Sequence, residues 1–373
     1  MKKVFALVLA AVMLLSVTGC TKQTGEATEG TKESAVTAES ADQGESSAEE
    51  SSREVSMEVT EESSEEEEEV IEIIGEPVDY GMPLNVMVLN GTTGFGMAQL
   101  INEGIPNYNF TIETDAANIS AALINGSVDI AALPTNAAAA LYNKTEGQVK
   151  LLALNTLGVL YLVTTDGTEI TSFEDLKGLT VYAPAQNPTF VFQYLCEANG
   201  LVVGEDVIID NTYAQPADLR TAVANNEVAV AVLPEPMVTM TKAANENMSV
   251  EMDLTAEWEK VNETSQLVQG CLVVRAEFAE TFPGMVTAFL ENYQASIEYM
   301  NSGDEGVAAA IEASGVFANG AVAAKAIPNC NIVYIAGADM QATVEGFFEA
   351  LYGVAPQSIG GALPGEDFYY IGE

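Results

Sequence analysis

From Leu84 onward, short apolar runs alternate with segments whose apolar residues recur every three or four positions. The runs Leu84–Leu89, Phe110–Glu113, Val149–Leu154, Val159–Thr164, Leu179–Ala183, Val207–Asp210, Met248–Leu254 and Gln269–Arg275 predict strands. The strands at 149–154 and 159–164 flank a turn at Gly158. Helical spacing predicts helices over Met97–Asn102 and from Pro188 to Asn199, then over Phe282–Asn301, Glu305–Ser314, Ala321–Ile327 and Asp339–Leu351. Ser172 with Asp175 three residues on reads as a helix N-cap. One unit occurs twice: Ala117–Asn136 (ANISAALINGSVDIAALPTN) and Ala217–Pro236 (ADLRTAVANNEVAVAVLPEP) align without a gap, each an amphipathic helix, a polar turn, an apolar strand and a proline break. Strands alternating with helices imply mostly parallel sheets, and a unit used once in each half implies two similar lobes with a crevice between them.

The N-terminal pattern differs. Lys2 and Lys3 precede an apolar run from Val4 to Val17, too short to span a bilayer, and Thr18-Gly19-Cys20 follows. This predicts a signal peptide over 1–19. Residues 20–80 are rich in Ser, Thr, Glu and Gly and include the five consecutive glutamates 65–69, a composition that cannot bury enough apolar surface to fold. They read as a disordered acidic tether.

Charge and cysteine narrow the chemistry. Residues 81–373 hold 35 acidic and 8 basic side chains, a net −27 within a total of −42. That sign argues against nucleic acid and against anionic lipid headgroups as partners. No histidine occurs anywhere, so Ser-His-Asp and Cys-His machinery is excluded, and no zinc-ligand spacing is present. No metal, cofactor or enzymatic activity is expected. Cys196, Cys271 and Cys330 read as small buried apolar residues, with a single disulfide left open.

The segment Ser172-Phe173-Glu174-Asp175-Leu176-Lys177-Gly178 before a strand resembles the crossover of type II solute-binding proteins of ABC importers, in the nitrate/sulfonate/taurine and thiamine-precursor branch. Asn90–Gly96, Val128–Asn136, Gly158–Tyr161, Leu233–Pro236 and the tail from Gly360 to Tyr370 resemble that branch too, and Val17–Cys20 resembles a bacterial lipobox. The resemblance implies a two-lobed type II periplasmic-binding-protein fold, with lobe 1 formed by 81–170 and 265–373 and lobe 2 by 171–264. It implies a monomer, lipidated at Cys20 and held on the extracytoplasmic face of the membrane, that closes on a small solute and delivers it to the transmembrane subunits of an ABC permease. The long tether points to a Gram-positive cell. The alternative reading is a surface lipoprotein for sensing or adhesion with a protein partner. Hinges are expected near Thr165–Gly178 and Thr264–Gly270.

Ligands of open α/β sheets sit beyond the carboxyl ends of the strands. Four loops qualify. Asn90, Gly91, Thr92, Thr93 and Gly94 form a turn that lets backbone approach a ligand; Thr135 and Asn136 end the first repeat strand; Gln186, Asn187 and Thr189 lie opposite; Glu235 is the charged counterpart of Thr135. Glu235 reads either as an acceptor for a ligand amine or ring N–H, or as a carboxylate answering its own helix dipole. Tyr161 joins the set, and Phe95, Phe190 and Tyr213 could stack on a ring or belong to the core. No Lys or Arg lies in these loops, which favours a neutral or weakly cationic, heterocyclic solute.

Overall fold

The computed structural model describes residues 81–372. The signal segment, Cys20 and the tether lie outside the described residues.

The first lobe opens with β1 (Leu84–Leu89), the single turn α1 (Thr92–Phe95) and α2 (Ala98–Glu103). It continues through β2 (Tyr108–Glu113), α3 (Ala116–Ile124), β3 (Ile130–Pro134), α4 (Thr135–Thr145) and β4 (Val149–Leu157). The second lobe runs through β5 (Leu160–Thr164), β6 (Thr180–Tyr182), α5 (Asn187–Ala198), β7 (Ile208–Asp210), α6 (Pro216–Ala224), β8 (Val230–Pro234), α7 (Met237–Ala244), β9 (Ser249–Asp253) and α8 (Leu254–Val261). The chain then returns through β10 (Val268–Arg275), α9 (Ala276–Thr281), α10 (Pro283–Asn301), α11 (Val307–Ser314), α12 (Gly320–Ala326), β11 (Ile332–Ala336) and α13 (Gly337–Val354).

Two sheets result, in the orders β11-β4-β10-β3-β1-β2 and β7-β6-β8-β5-β9. The repeat is borne out residue for residue: α3 and α6, then β3 and β8, occupy positions exactly one hundred apart in the numbering. In each sheet the βαβ half is parallel, with β1 pairing β2 and β3, and β6 pairing β7 and β8. The other half is antiparallel, because strands entering from the opposite lobe run back along the repeat strand: Pro134 faces Gly270 and Pro234 faces Leu160. The sheets are therefore mixed rather than mostly parallel.

The same crossings decide which sheet takes β5. β4 and β5 flank Gly158 as expected, but they belong to different sheets, so Gly158 is the passage between lobes and not a hairpin turn. A Cβ at Gly158 would collide with the Thr255 side chain. β5 (Leu160–Thr164) therefore pairs in the second sheet, although it lies within the 81–170 segment expected for lobe 1; an apolar strand pattern does not say which sheet will take it. The return passage, between α8 and β10, falls at residues 262–267, close to the expected one. Ser172 and Asp175 do form a reciprocal capping box, on a 3₁₀ turn (Phe173–Leu176). β11, which falls between the helices expected at Ala321–Ile327 and Asp339–Leu351, is an edge strand pairing with β4.

A shared apolar floor joins the lobes. α13 packs on β4 and β11 of the first sheet and on α5 of the second lobe. Trp258 of α8 is fully buried, its ring 4.7 Å from Tyr194 and 5.7 Å from Phe347, and its indole N–H donates to the Ser265 carbonyl. Cys196, Cys271 and Cys330 are buried free thiols. At the end of the first sheet away from the crevice, Asp129 accepts from Arg275 Nη2 at 2.8 Å and from the Asn85 backbone N–H at 2.9 Å.

Removing one partner of a mostly buried pair strands the other. Asp129→Ala is expected to lower unfolding stability by about 3 kcal/mol, read as a shifted urea midpoint with an unchanged slope. A loss under about 0.5 kcal/mol would place the pair among ordinary surface contacts.

Candidate functional site

The carboxyl ends of β3 and β8 carry the two versions of the repeat, and their local structure diverges. After β3, α4 starts at once, burying Thr135 and Asn136 at its first positions. After β8, Pro236 delays α7 by two residues, and the Glu235 carboxylate folds back over the helix start, accepting from the Thr239 backbone N–H at 3.1 Å and from Thr239 Oγ1 at 3.0 Å. Glu235 thus satisfies its own helix, the dipole reading of this residue. It is 3 % exposed, and burial pushes its carboxyl above the ordinary value despite the Thr239 bonds.

Thr135 and Asn136 have no such arrangement. Thr135 Oγ1 has the Cys271 thiol as its neighbour, a weak sulfur contact at most, and no nitrogen or oxygen partner. Asn136 Nδ2 donates to the Ser358 carbonyl at 3.3 Å, leaving Oδ1 unpartnered. Gln269, the residue of β10 next to the Gly270–Pro134 pair, faces the same end of β3. Its Oε1 accepts from Asn187 Nδ2 at 3.0 Å, a bond that joins the first sheet to the start of α5 in the second lobe. Asn187 Oδ1, Gln269 Nε2 and Ser358 Oγ are also unpartnered, and all five residues are at most 9 % exposed. Buried polar groups are nearly always paired; these five are among seven unpartnered side-chain atoms of the described residues, the other two being Ser265 Oγ and Tyr293 OH. α4 begins at Thr135 and α5 at Asn187, so these side chains sit at helix N-termini, with Pro188 leaving α5 one N–H fewer.

A second set closes the crevice beside this one. Thr92 Oγ1 donates to the Glu235 carbonyl at 2.7 Å across the lobes, Asn329 Nδ2 reaches Glu235 Oε1 at 3.5 Å, and Tyr161 OH reaches the Asn329 carbonyl at 3.5 Å. Burial first, then Asp253 and Glu235, raise the Tyr161 phenol, so it stays protonated. Thr93 adjoins the cluster: its carbonyl accepts from Asn155 Nδ2, and a Cβ at Gly270 would stand 3.0 Å from its side chain. Gly94 is buried where a Cβ would meet the Leu89 carbonyl at 2.5 Å.

Other expected residues stand apart. Asn90 is exposed, and Gly91 has φ 95, a turn conformation suited to glycine. Gln186 is exposed with φ 71. Thr189 is tied within its own lobe, donating to the Pro184 carbonyl and accepting from Asn211, each at 2.7 Å. Phe95 is fully buried core, and Tyr213 packs on Tyr182. Gln269 and Ser358 escaped the sequence reading. Gln269 had a signal, a lone amide in an otherwise apolar strand; Ser358 had none, since it approaches Asn136 from 222 residues away.

The nearest cation along β10 is Arg275, six residues and about 20 Å from Gln269, and it is occupied by Asp129. Lys144, Lys242, Lys260 and Lys325 lie in the last turns of their helices.

The profile of ABC-transporter phosphonate periplasmic substrate-binding proteins matches residues 100–317. The chain belongs to this family. It is accordingly a periplasmic solute-binding component of an ABC transporter and not an enzyme. Binding proteins of the family capture small solutes outside the cytoplasm and hand them to ABC permeases. Among the described residues no helix is long and apolar enough to cross a membrane. No curated protein matches the chain. Among solved structures, an ABC transporter protein from Parabacteroides distasonis is similar, at 23 % identity and TM-score 0.66 over 78 % of this chain and 99 % of that one. The periplasmic aliphatic sulphonate-binding protein SsuA of Escherichia coli aligns at 14 % identity and TM-score 0.61, over 77 % and 96 %. The alkanesulfonate-binding protein SsuA of Xanthomonas axonopodis pv. citri, bound to MOPS, aligns at 13 % and 0.56, over 76 % and 96 %. At these identities the likeness establishes the two-lobed fold of the family.

Because the folded state raises the Glu235 carboxyl above 4.5, its contribution is fully present below that pH and is lost as pH rises through the folded value. Relative to Glu235→Gln, the wild-type protein is expected to lose stability as the pH rises above about 4.5, measured as urea midpoints of both proteins. A difference that does not move with pH would mean the carboxyl is unperturbed.

Proposed function

We propose that the protein binds one small organic solute between its lobes, at the cluster of Thr135, Asn136, Asn187, Gln269 and Ser358, and passes it to the transmembrane subunits of an ABC permease. The observation that carries this is the convergence, from both lobes and the C-terminal segment, of five buried side chains each with an unpartnered polar atom. Buried polar atoms are normally paired with protein, ordered water or a ligand, and a solute between the lobes would supply such partners. Thr92, Thr93 and Tyr161 form the adjoining wall, with Glu235 behind them as a structural carboxylate. The passages at Gly158 and at 262–267 are the points about which the lobes would close. The protein acts as a monomer, held by a lipid on Cys20 at the outer face of the cytoplasmic membrane, with residues 20–80 as spacer. The lipobox-like Val17–Cys20 and the apolar run before it support the anchor.

Native mass spectrometry of the protein purified gently from its own cells is expected to reveal a bound small molecule, lost or weakened tenfold or more in Asn136→Leu, in line with about 1–3 kcal/mol for an uncompensated buried polar contact. A bare mass, with no thermal shift from any small-solute library, would remove the reading. Wild-type protein is expected to incorporate labelled palmitate and sediment with membranes, and Cys20→Ser to do neither. Wild-type protein found wholly in the soluble fraction would exclude the anchor.

A further inference from the structure

The Asn187–Gln269 contact says more about the guest than its burial does. One amide N–H of Asn187 is used on the Gln269 carbonyl at 3.0 Å, leaving Asn187 Oδ1 as a free acceptor and Gln269 Nε2 as a free donor. Turning both amides over keeps that outcome: one bond joins the pair, and one N–H donor and one C=O acceptor are left. The pair therefore leaves one donor and one acceptor whichever way its atoms are assigned. A sulfonate or a fully ionised phosphonate, which only accepts, can satisfy the donor and leaves a carbonyl oxygen facing negative charge, whereas a phosphonate monoanion keeps one P–OH donor. A molecule with N–H and C=O side by side satisfies both.

Charge points the same way. The cluster is built from amides and hydroxyls. The cation on β10 lies about 20 Å off and is neutralised by Asp129. The surrounding domain is itself acidic, with 35 acidic against 8 basic residues over 81–373, so its field opposes an arriving anion and is indifferent to a neutral molecule. The helix N-termini of α4 and α5 then serve a carbonyl oxygen rather than a full charge.

We propose that the solute is a neutral molecule with a cis-amide edge (a lactam, a primary amide or a ureide), read by the Asn187–Gln269 pair as donor and acceptor together. Thr135 and Asn136 then meet the polar groups on its far side. This rests on the interlobe solute reading above and narrows it to one chemistry.

The test titrates the full chain with hydantoin and 2-pyrrolidinone, with their N-methylated counterparts 1,3-dimethylhydantoin and N-methyl-2-pyrrolidinone, and with methylphosphonate and ethanesulfonate. Binding is followed by thermal shift and calorimetry. At least one N–H-bearing compound is expected to bind, its N-methylated counterpart at least tenfold more weakly, with the gap shrinking to under threefold in Gln269→Leu. The N-methyl comparison is made on the wild-type protein, so a poorly folded variant leaves it intact. Binding indifferent to N-methylation overturns the inference, as does failure of both N–H compounds. If an oxoanion binds while the lactams do not, the amide edge is wrong and the interlobe solute site stands. If nothing binds, the inference falls, and the site itself is judged by the mass measurement given above.

Discussion

Strand β10 is the constraint on which the site depends. It arrives from the second lobe, inserts between β3 and β4, and pairs antiparallel with both. Its first seven residues are buried, so its register is held by packing on both faces as well as by two hydrogen-bond ladders. A one-residue slip would turn Gln269 away from the crevice and bury Arg275 without Asp129. The ion pair at one end and the amide pair at the other are therefore fixed by the same alignment. The second lobe repeats the scheme with β5, which crosses in the other direction and lies against β8 as β10 lies against β3.

Much of this was legible in the sequence for physical reasons. The repeat survives because each copy must present an amphipathic helix, a buried strand and a proline that ends the ladder where a crossing strand leaves it. The absence of histidine excluded the common enzymatic machinery outright. What stayed hidden was long-range. Periodicity places Leu160–Thr164 in a strand but is silent on which sheet pairs with it. Glu235 stood out as the only charge in four loops, yet a carboxylate near a helix start meets its own backbone N–H groups before it meets a ligand. The neutral counterpart in the first copy, Thr135 with Asn136, is the one left with open valences.

The divergence of the two copies also explains why the crevice has one polar face and one closed edge. The second copy spends its loop on capping α7 and on receiving Thr92 from the opposite lobe. The first copy starts its helix without delay and leaves side-chain atoms facing the gap. The two loops differ at two neighbouring positions, Thr135 against Glu235 and Asn136 against Pro236, and these separate a loop that caps its own helix from one whose side-chain atoms are left without partners.

The unpartnered atoms have an energetic meaning. A buried polar atom left without any partner costs on the order of 1–3 kcal/mol, so a solute that supplies a missing hydrogen bond has an energy of that order to gain at each such atom. A ligand can move an equilibrium only by its differential affinity for the two states, and here the difference is built from the orphaned atoms themselves. Other contacts already join the lobes: the bonds of Thr92 and Asn329 to Glu235, of Tyr161 to Asn329 and of Asn187 to Gln269, with the packing of α13 on α5. A solute favours the closed arrangement only by what it adds to these.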